Sequence, residues 1–180
     1  TDAINKVKGK VILIGHSMAG MVISQVAENI PNKIDKLIYV SAFLPKNGET
    51  LNSIVNKVTQ GKTPEFFEFN KDYSLVSINR NSLSNVVCAD CPDYMKDLLV
   101  KYHRAEPVKA FNDKVTLTAK FASVPKYYIS TTKDNAVPYA LQQMMIKENG
   151  TVKKVFEMET SHLPFVVNPQ QFLEDIMSIK

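Results

Sequence analysis

The chain has 180 residues, 44% apolar and 22% charged, a globular composition that excludes disordered, collagenous and coiled-coil readings. Its net charge of +4 comes from lysines scattered along the chain, and it has no Trp, so no nucleic-acid partner is expected. No apolar run approaches the ~20 residues that a membrane helix needs, so no membrane partner is expected either.

Residues 10–15, "KVILIG", form a short apolar run ending in Gly, the pattern of a strand buried on both faces of a parallel sheet. The following "MAGMVISQVAENIP" carries Met18, Met21, Val22, Val26 and Ile30 at helical spacing and stops at Pro31. Residues 36–43, "KLIYVSAF", read as a second buried strand, and "LPKNG" after it as a turn. Residues 46–122 lose this rhythm and are too long for a structureless loop, which rarely exceeds ~15 residues, so they are predicted to be an inserted, mostly helical cap. The strand–helix grammar returns in residues 123–180. Residues 125–131 are predicted as a strand, and 138–150 as a helix with Pro at its start and Gly past its end. Residues 152–159 are predicted as a strand, and 168–180 as a helix with Asn at its cap. Residues 1–45 and 123–180 therefore predict one α/β core, a parallel sheet with flanking helices and right-handed crossovers.

Cys88 and Cys91, in "CADC", fall short of the roughly four ligands of a zinc site and lack the strand–helix context of a redox motif. They read as two ordinary thiols within the helical insert, and no metal site is expected. The chain starts at Thr1 with no visible signal peptide, which points to a cytoplasmic location.

The chemistry is concentrated in "VILIGHSMAG". A buried parallel strand that turns sharply into a helix exposes its turn residue at the carboxyl edge of the sheet, where ligands bind. The turn needs small neighbours, and Gly15, Ala19 and Gly20 supply them around Ser17. Backbone N–H groups at the helix start can hold a developing oxyanion. This is the Gly-x-Ser-x-Gly nucleophile elbow, with Ala19 in place of its second Gly; a helix-capping serine is the alternative. A serine needs a general base and a group to orient that base, and in this architecture the order is serine, acid, histidine. Asp134 in "TTKDNAVP" follows the strand after the cap, and His162 in "ETSHLPF" follows the last strand. All three fall at carboxyl ends of strands. His16 adjoins the serine and is a candidate pocket residue, with a structural role as its alternative. His103, in "YHRAEP", is expected to face solvent or a neighbour within the cap. Phe66, Phe67, Phe69 and Tyr73 are expected either to wall an apolar pocket or to form the core of the cap.

"GHSMAG", "KLIYVSAFLP", "TTKDNAVPYALQQMM" and "TSHLPFVVNPQQFLEDI" together resemble the α/β-hydrolases of the plant methylesterase and hydroxynitrile lyase group and their bacterial relatives. The resemblance covers both flanking segments; the cap matches mainly in length and in "YHRAEP". It implies an α/β-hydrolase fold and a serine esterase without a cofactor, with Ser17 as nucleophile, His162 as base and Asp134 as orienting acid. It also implies that the backbone N–H of Met18 forms half of the oxyanion hole. Lyases of this group are expected to carry a lysine directly after the histidine, where this chain has Leu163, and a Glu where it has His16. Leu163 is expected, with His16, to be a substrate-binding residue, and being apolar it cannot stabilise a cyanide leaving group, which favours a small-molecule ester as substrate. A ligand-binding protein on a hydrolase scaffold and a hydroxynitrile lyase-like enzyme are the alternatives.

Hydrolases of this fold have several strands before the elbow strand, and a loop after one of them supplies the second oxyanion donor. Here only "TDAINKVKGK" precedes it, like the tail of a helix. Each strand–helix–strand unit takes ~30 residues or more, so roughly 60 or more are expected to be missing. An N-terminal segment of the same chain, or a second polypeptide, is expected to complete the sheet over an otherwise bare edge. Self-pairing of a minimal variant is the third possibility.

Overall fold

The four predicted strands of the core become one four-stranded parallel sheet in the computed structural model of the chain, which describes residues 1–179. A single helical turn, α1 (Asp2–Asn5), precedes β1 (Val11–His16), α2 (Ala19–Asn29), a 3-10 turn (Pro31–Lys33) and β2 (Ile34–Val40). The chain then leaves the sheet for α3 (Leu51–Thr59), β3 (Phe67–Phe69), β4 (Leu75–Ile78), α4 (Arg80–Val87), α5 (Asp93–Tyr102), β5 (Glu106–Pro107), α6 (Val108–Asn112) and α7 (Ala119–Ser123). It returns through β6 (Lys126–Thr131), α8 (Tyr139–Asn149), β7 (Val152–Met158), α9 (Pro164–Val167) and α10 (Pro169–Met177). The sheet order is β1-β2-β6-β7. His16 lies opposite Val40, Val40 opposite Ile129, and Ile129 opposite Phe156, so the strands present their carboxyl ends along one edge.

Side-chain alternation along the strands divides the core between the two faces of the sheet. Leu37 and Tyr39 of β2 pack with Met21, Ile23 and Ala27 of α2 and with Leu141 and Met145 of α8. Ile38 and Val40 join Ile129, Phe156 and Met158 in a second cluster, against which Phe172 and Ile176 of α10 pack.

Two expectations are corrected, those for β1 and for the cysteines, and the mostly helical insert gains a detail. β1 is buried on one face only: Val11 and Leu13 pack on the first core, while Ile12 and Ile14 are 50% and 49% exposed. It is an edge strand of the sheet. The segment between β2 and β6 contains, beside its helices, a three-stranded antiparallel sheet in the order β3-β4-β5. Its strands are three, four and two residues long, too short for alternation to mark them in the sequence. Cys88 and Cys91 are joined in a disulfide rather than standing as separate thiols. α4 ends at Val87, and the turn that follows, closed by Cys91 N–H donating to Cys88 O at 3.2 Å, brings the two Cα atoms to 5.2 Å, within bridging range. Among the described residues no helix is long and apolar enough to cross a membrane.

Candidate active site

Ser17 is the hinge between β1 and α2, and its φ of 55° lies in the left-handed region that a non-glycine residue enters only at a cost. Three backbone bonds hold it there. Ser17 N–H donates to Val40 O at 3.2 Å, and Ser17 O accepts from Phe43 N–H and Gly20 N–H, both at 3.1 Å. The flanking glycines are required by packing. A Cβ on Gly15 would come within 2.8 Å of Ile23 Cδ1, and a Cβ on Gly20 would overlap the Phe43 carbonyl oxygen. Gly20, one residue beyond the usual motif position, is thus where α2 approaches the chain leaving β2 most closely, and Ala19 is tolerated. Met18 is the N-cap of α2, and among the described residues no backbone carbonyl takes its N–H.

Asp134 sits in the loop after β6, only 5% exposed, with every carboxylate site occupied. Oδ1 accepts from the N–H groups of Ala136 and Val137, both at 2.8 Å. Oδ2 lies 2.7 Å from His162 Nδ1 and 2.9 Å from Thr131 Oγ1. Thr131 Oγ1 is also 2.8 Å from Ser41 Oγ and 3.1 Å from Gln142 Nε2. A hydroxyl has one proton, and the carboxylate is its strongest acceptor here, so Thr131 donates to Asp134 and accepts from Ser41 and Gln142. An acceptor-only carboxylate on Nδ1 fixes the neutral imidazole of His162 with its proton on Nδ1 and its lone pair on Nε2.

His162 follows β7 and is 4% exposed. Ser17 and His162 line one cavity of about 440 Å³. Phe43, Val55, Phe66, Phe67, Phe111 and Val137 give that cavity apolar walls. Phe66 and Phe67 are therefore pocket residues, while Phe69 and Tyr73 pack against each other with tilted rings and remain exposed. His103, expected at the surface or against a neighbour, reaches the same cavity together with Glu106, and its Nε2 lies 2.9 Å from Ser77 Oγ.

His16 lines the cavity as well, and it is tethered. Its Nε2–H donates to the backbone carbonyl of His162 at 2.8 Å, and its ring packs 4.5 Å from that of His162. Burial, then the neighbouring His162, lowers its pKa to about 4, so it is neutral at pH 7. Leu163 stands half-buried at the start of α9 and is not among the residues that line the cavity. Sequence reasoning missed Ser41, Thr131 and Gln142 around the acid. A polar Gln142 on the inward face of α8 was the one available signal. Among the described residues no three His, Cys, Asp or Glu side chains converge as a metal-ligand set.

Comparison with known proteins places this geometry in a family. The alpha/beta hydrolase family model matches residues 1–175. Methylesterase 1 of Arabidopsis thaliana is 27% identical over 94% of this chain, which spans 69% of that relative. A pyrethroid hydrolase of Sphingobium wenxiniae is 26% identical over 97% of this chain and 65% of its own length. Two longer chloroplastic relatives from Arabidopsis thaliana are 30% and 29% identical, and the chain spans 49% and 40% of them, about half their length. The crystal structure of a methylesterase from Arabidopsis superposes with a TM-score of 0.83 at 21% identity, covering 98% of this chain and 72% of that one. These similarities fall in the group that the sequence motifs resemble. With the sheet order, the strained serine turn and the 1–175 match all in agreement, the chain belongs to the alpha/beta hydrolase family.

Proposed function

We propose that this chain carries the catalytic machinery of a carboxylic ester hydrolase acting on a small to medium, largely apolar ester. The observation that carries the reading is a serine held at φ 55° in the same cavity as a histidine whose Nδ1 lies 2.7 Å from a buried carboxylate. Ser17 Oγ attacks the ester carbonyl carbon while its proton passes to His162 Nε2. Met18 N–H, at the positive end of α2, donates to the oxyanion of the tetrahedral intermediate. His162 then protonates the departing alcohol as the C–O bond breaks, leaving an acyl group on Ser17. A water molecule, deprotonated by His162, attacks that acyl carbonyl; the bond from the acyl carbon to Ser17 Oγ then breaks, His162 returns the proton to Oγ, and the carboxylic acid is released. Asp134 holds the imidazole in the required tautomer and stabilises it when charged. The apolar walls favour an acyl or alcohol part with aliphatic or aromatic surface. The relatives named for methyl ester and pyrethroid hydrolysis support an ester as the substrate class.

Leu163 supports hydrolysis over cyanide elimination, since it puts no cation beside His162. The half-exposed Ile12 and Ile14 of β1 support a further strand on that edge, from the same chain or another, which would also bring the second oxyanion donor. Intact mass measured before and after a serine-reactive fluorophosphonate tests the reading. A single adduct that is lost in Ser17→Ala is expected. A folded, full-length chain that takes no adduct would sink the hydrolase and favour a ligand-binding role.

A further inference from the structure

Four ties, from three separate stretches of chain, fix the loop that carries His162. Lys133 N–H donates to Thr160 O at 3.0 Å, His16 Nε2–H donates to His162 O at 2.8 Å, and Asp134 holds the ring. The fourth tie comes from outside the parallel sheet: Ser161 N–H donates to Asp90 Oδ2 at 2.9 Å. Ser161 immediately precedes His162, so the peptide plane that Asp90 grips sets where the histidine backbone begins.

Asp90 lies within the four-residue ring closed by the Cys88–Cys91 disulfide, and both cysteines are buried while Asp90 itself is exposed. Cys88 N–H donates to Ser84 O at 2.8 Å, which roots the ring on α4. α4 also holds the acid loop, through Asn135 Nδ2–H donating to Asn85 O at 3.0 Å. Val87, next to the ring, shares the cavity wall with Ala136, Val137 and His162. One end of α4 thus grips both loops that bring Asp134 and His162 together. An exposed carboxylate on an open turn would spend much of its time hydrated and elsewhere. The covalent ring removes most of that freedom beforehand.

We propose that Asp90, held in place by the Cys88–Cys91 disulfide, is a positioning residue for His162. It touches no substrate and acts through the Ser161 peptide; the proposal rests on the reading of His162 as the general base. An exposed hydrogen bond of this kind contributes little to global stability, whereas a small displacement of a catalytic group is costly in rate. Rate and stability should therefore separate.

The test uses the full-length chain and four variants: Asp90→Ala, Asp90→Asn, Cys88→Ser/Cys91→Ser, and the combination of the first with the third. Two readouts are taken, with thermal melting as a control. One is the rate of fluorophosphonate labelling; the other is the low-field proton NMR signal of His162 Nδ1–H, which needs no turnover. Asp90→Ala should label about tenfold more slowly, broaden or shift the His162 signal, and melt as the parent does. Asp90→Asn retains an acceptor for Ser161 N–H and should restore the rate. The double cysteine variant should slow labelling to the same extent, with no further loss when Asp90→Ala is added. Parental labelling and an unchanged His162 signal in Asp90→Ala would overturn the proposal, and a rate loss matched by a fall in melting temperature would overturn it as well. Parental labelling in the double cysteine variant would remove the disulfide from it. A parent that is never labelled, but whose His162 signal still responds to Asp90→Ala, would refute the hydrolase reading and leave the positioning role standing.

Discussion

Replacing Asp134 with Asn changes one atom and should silence the site. Oδ1 is committed as an acceptor to the N–H groups of Ala136 and Val137, both at 2.8 Å, and an amide NH2 placed there would set donor against donor. The Asn must therefore keep its carbonyl oxygen at that position and turn its NH2 toward His162 Nδ1, where the carboxylate stands at 2.7 Å. Nδ1 then has to accept, and the ring proton moves to Nε2. In the proposed mechanism the base needs its lone pair on Nε2, so Ser17 would lose its proton acceptor. Thr131 can accommodate the swap by turning its proton to Ser41 Oγ, 2.8 Å away, so the fold survives. In serine triads a change of tautomer of this kind costs ~10⁴-fold in kcat, about 5.4 kcal/mol at 1.36 kcal/mol per tenfold step. The assay is ester turnover and fluorophosphonate labelling at pH 7, with thermal melting to verify folding. A folded Asp134→Asn protein within tenfold of the parent rate would refute the tautomer argument.

Ser17→Gly should abolish labelling yet stabilise the fold by about 1 kcal/mol, because glycine adopts φ near 55° without a Cβ penalty; no gain in a urea melt would mean that the turn is unstrained. Gly20→Ala should cost about 3 kcal/mol, since its Cβ meets the immovable Phe43 carbonyl. Gly15→Ala, which meets first the end of the flexible Ile23 side chain, should cost about 1 kcal/mol, and the reverse ranking would contradict the packing account. His16 has its pKa lowered from 6.5 to about 4 by burial and by His162. Between those values the unfolded chain binds a proton that the folded chain does not. Stability from this group is therefore full above pH 6.5 and is lost as pH falls toward 4, by up to about 3 kcal/mol. Urea unfolding at a series of pH values should show this slope in the parent and a shallower one in His16→Gln; equal slopes would place the acid lability elsewhere.

Much of the parallel core was legible locally. The runs "VILIG", "KLIYV" and "KYYIST" are continuous and apolar, and Pro31, Pro138, Gly150 and Asn168 mark helix ends that the structure reproduces within a few residues. The placement of Ser17, Asp134 and His162 was legible for the same reason: each lies within four residues of a strand end, and parallel strands deliver their carboxyl ends to one edge, here to one cavity in the case of Ser17 and His162. Pairing of distant segments was not legible. Whether Ile12 and Ile14 are buried depends on what covers β1 rather than on their own hydrophobicity. The β3-β4-β5 sheet joins strands too short to carry a period. The ties from Thr131 and Gln142 to Asp134, from His16 to His162, and from Asp90 to Ser161 depend on angles and distances between loops. Composition and periodicity determined where the chain turns and which residues reach the sheet edge, because those are short-range steric and hydrophobic effects. Only the tertiary structure decided which polar atom faces which, because a hydrogen bond is set within a few tenths of an ångström by segments far apart in sequence.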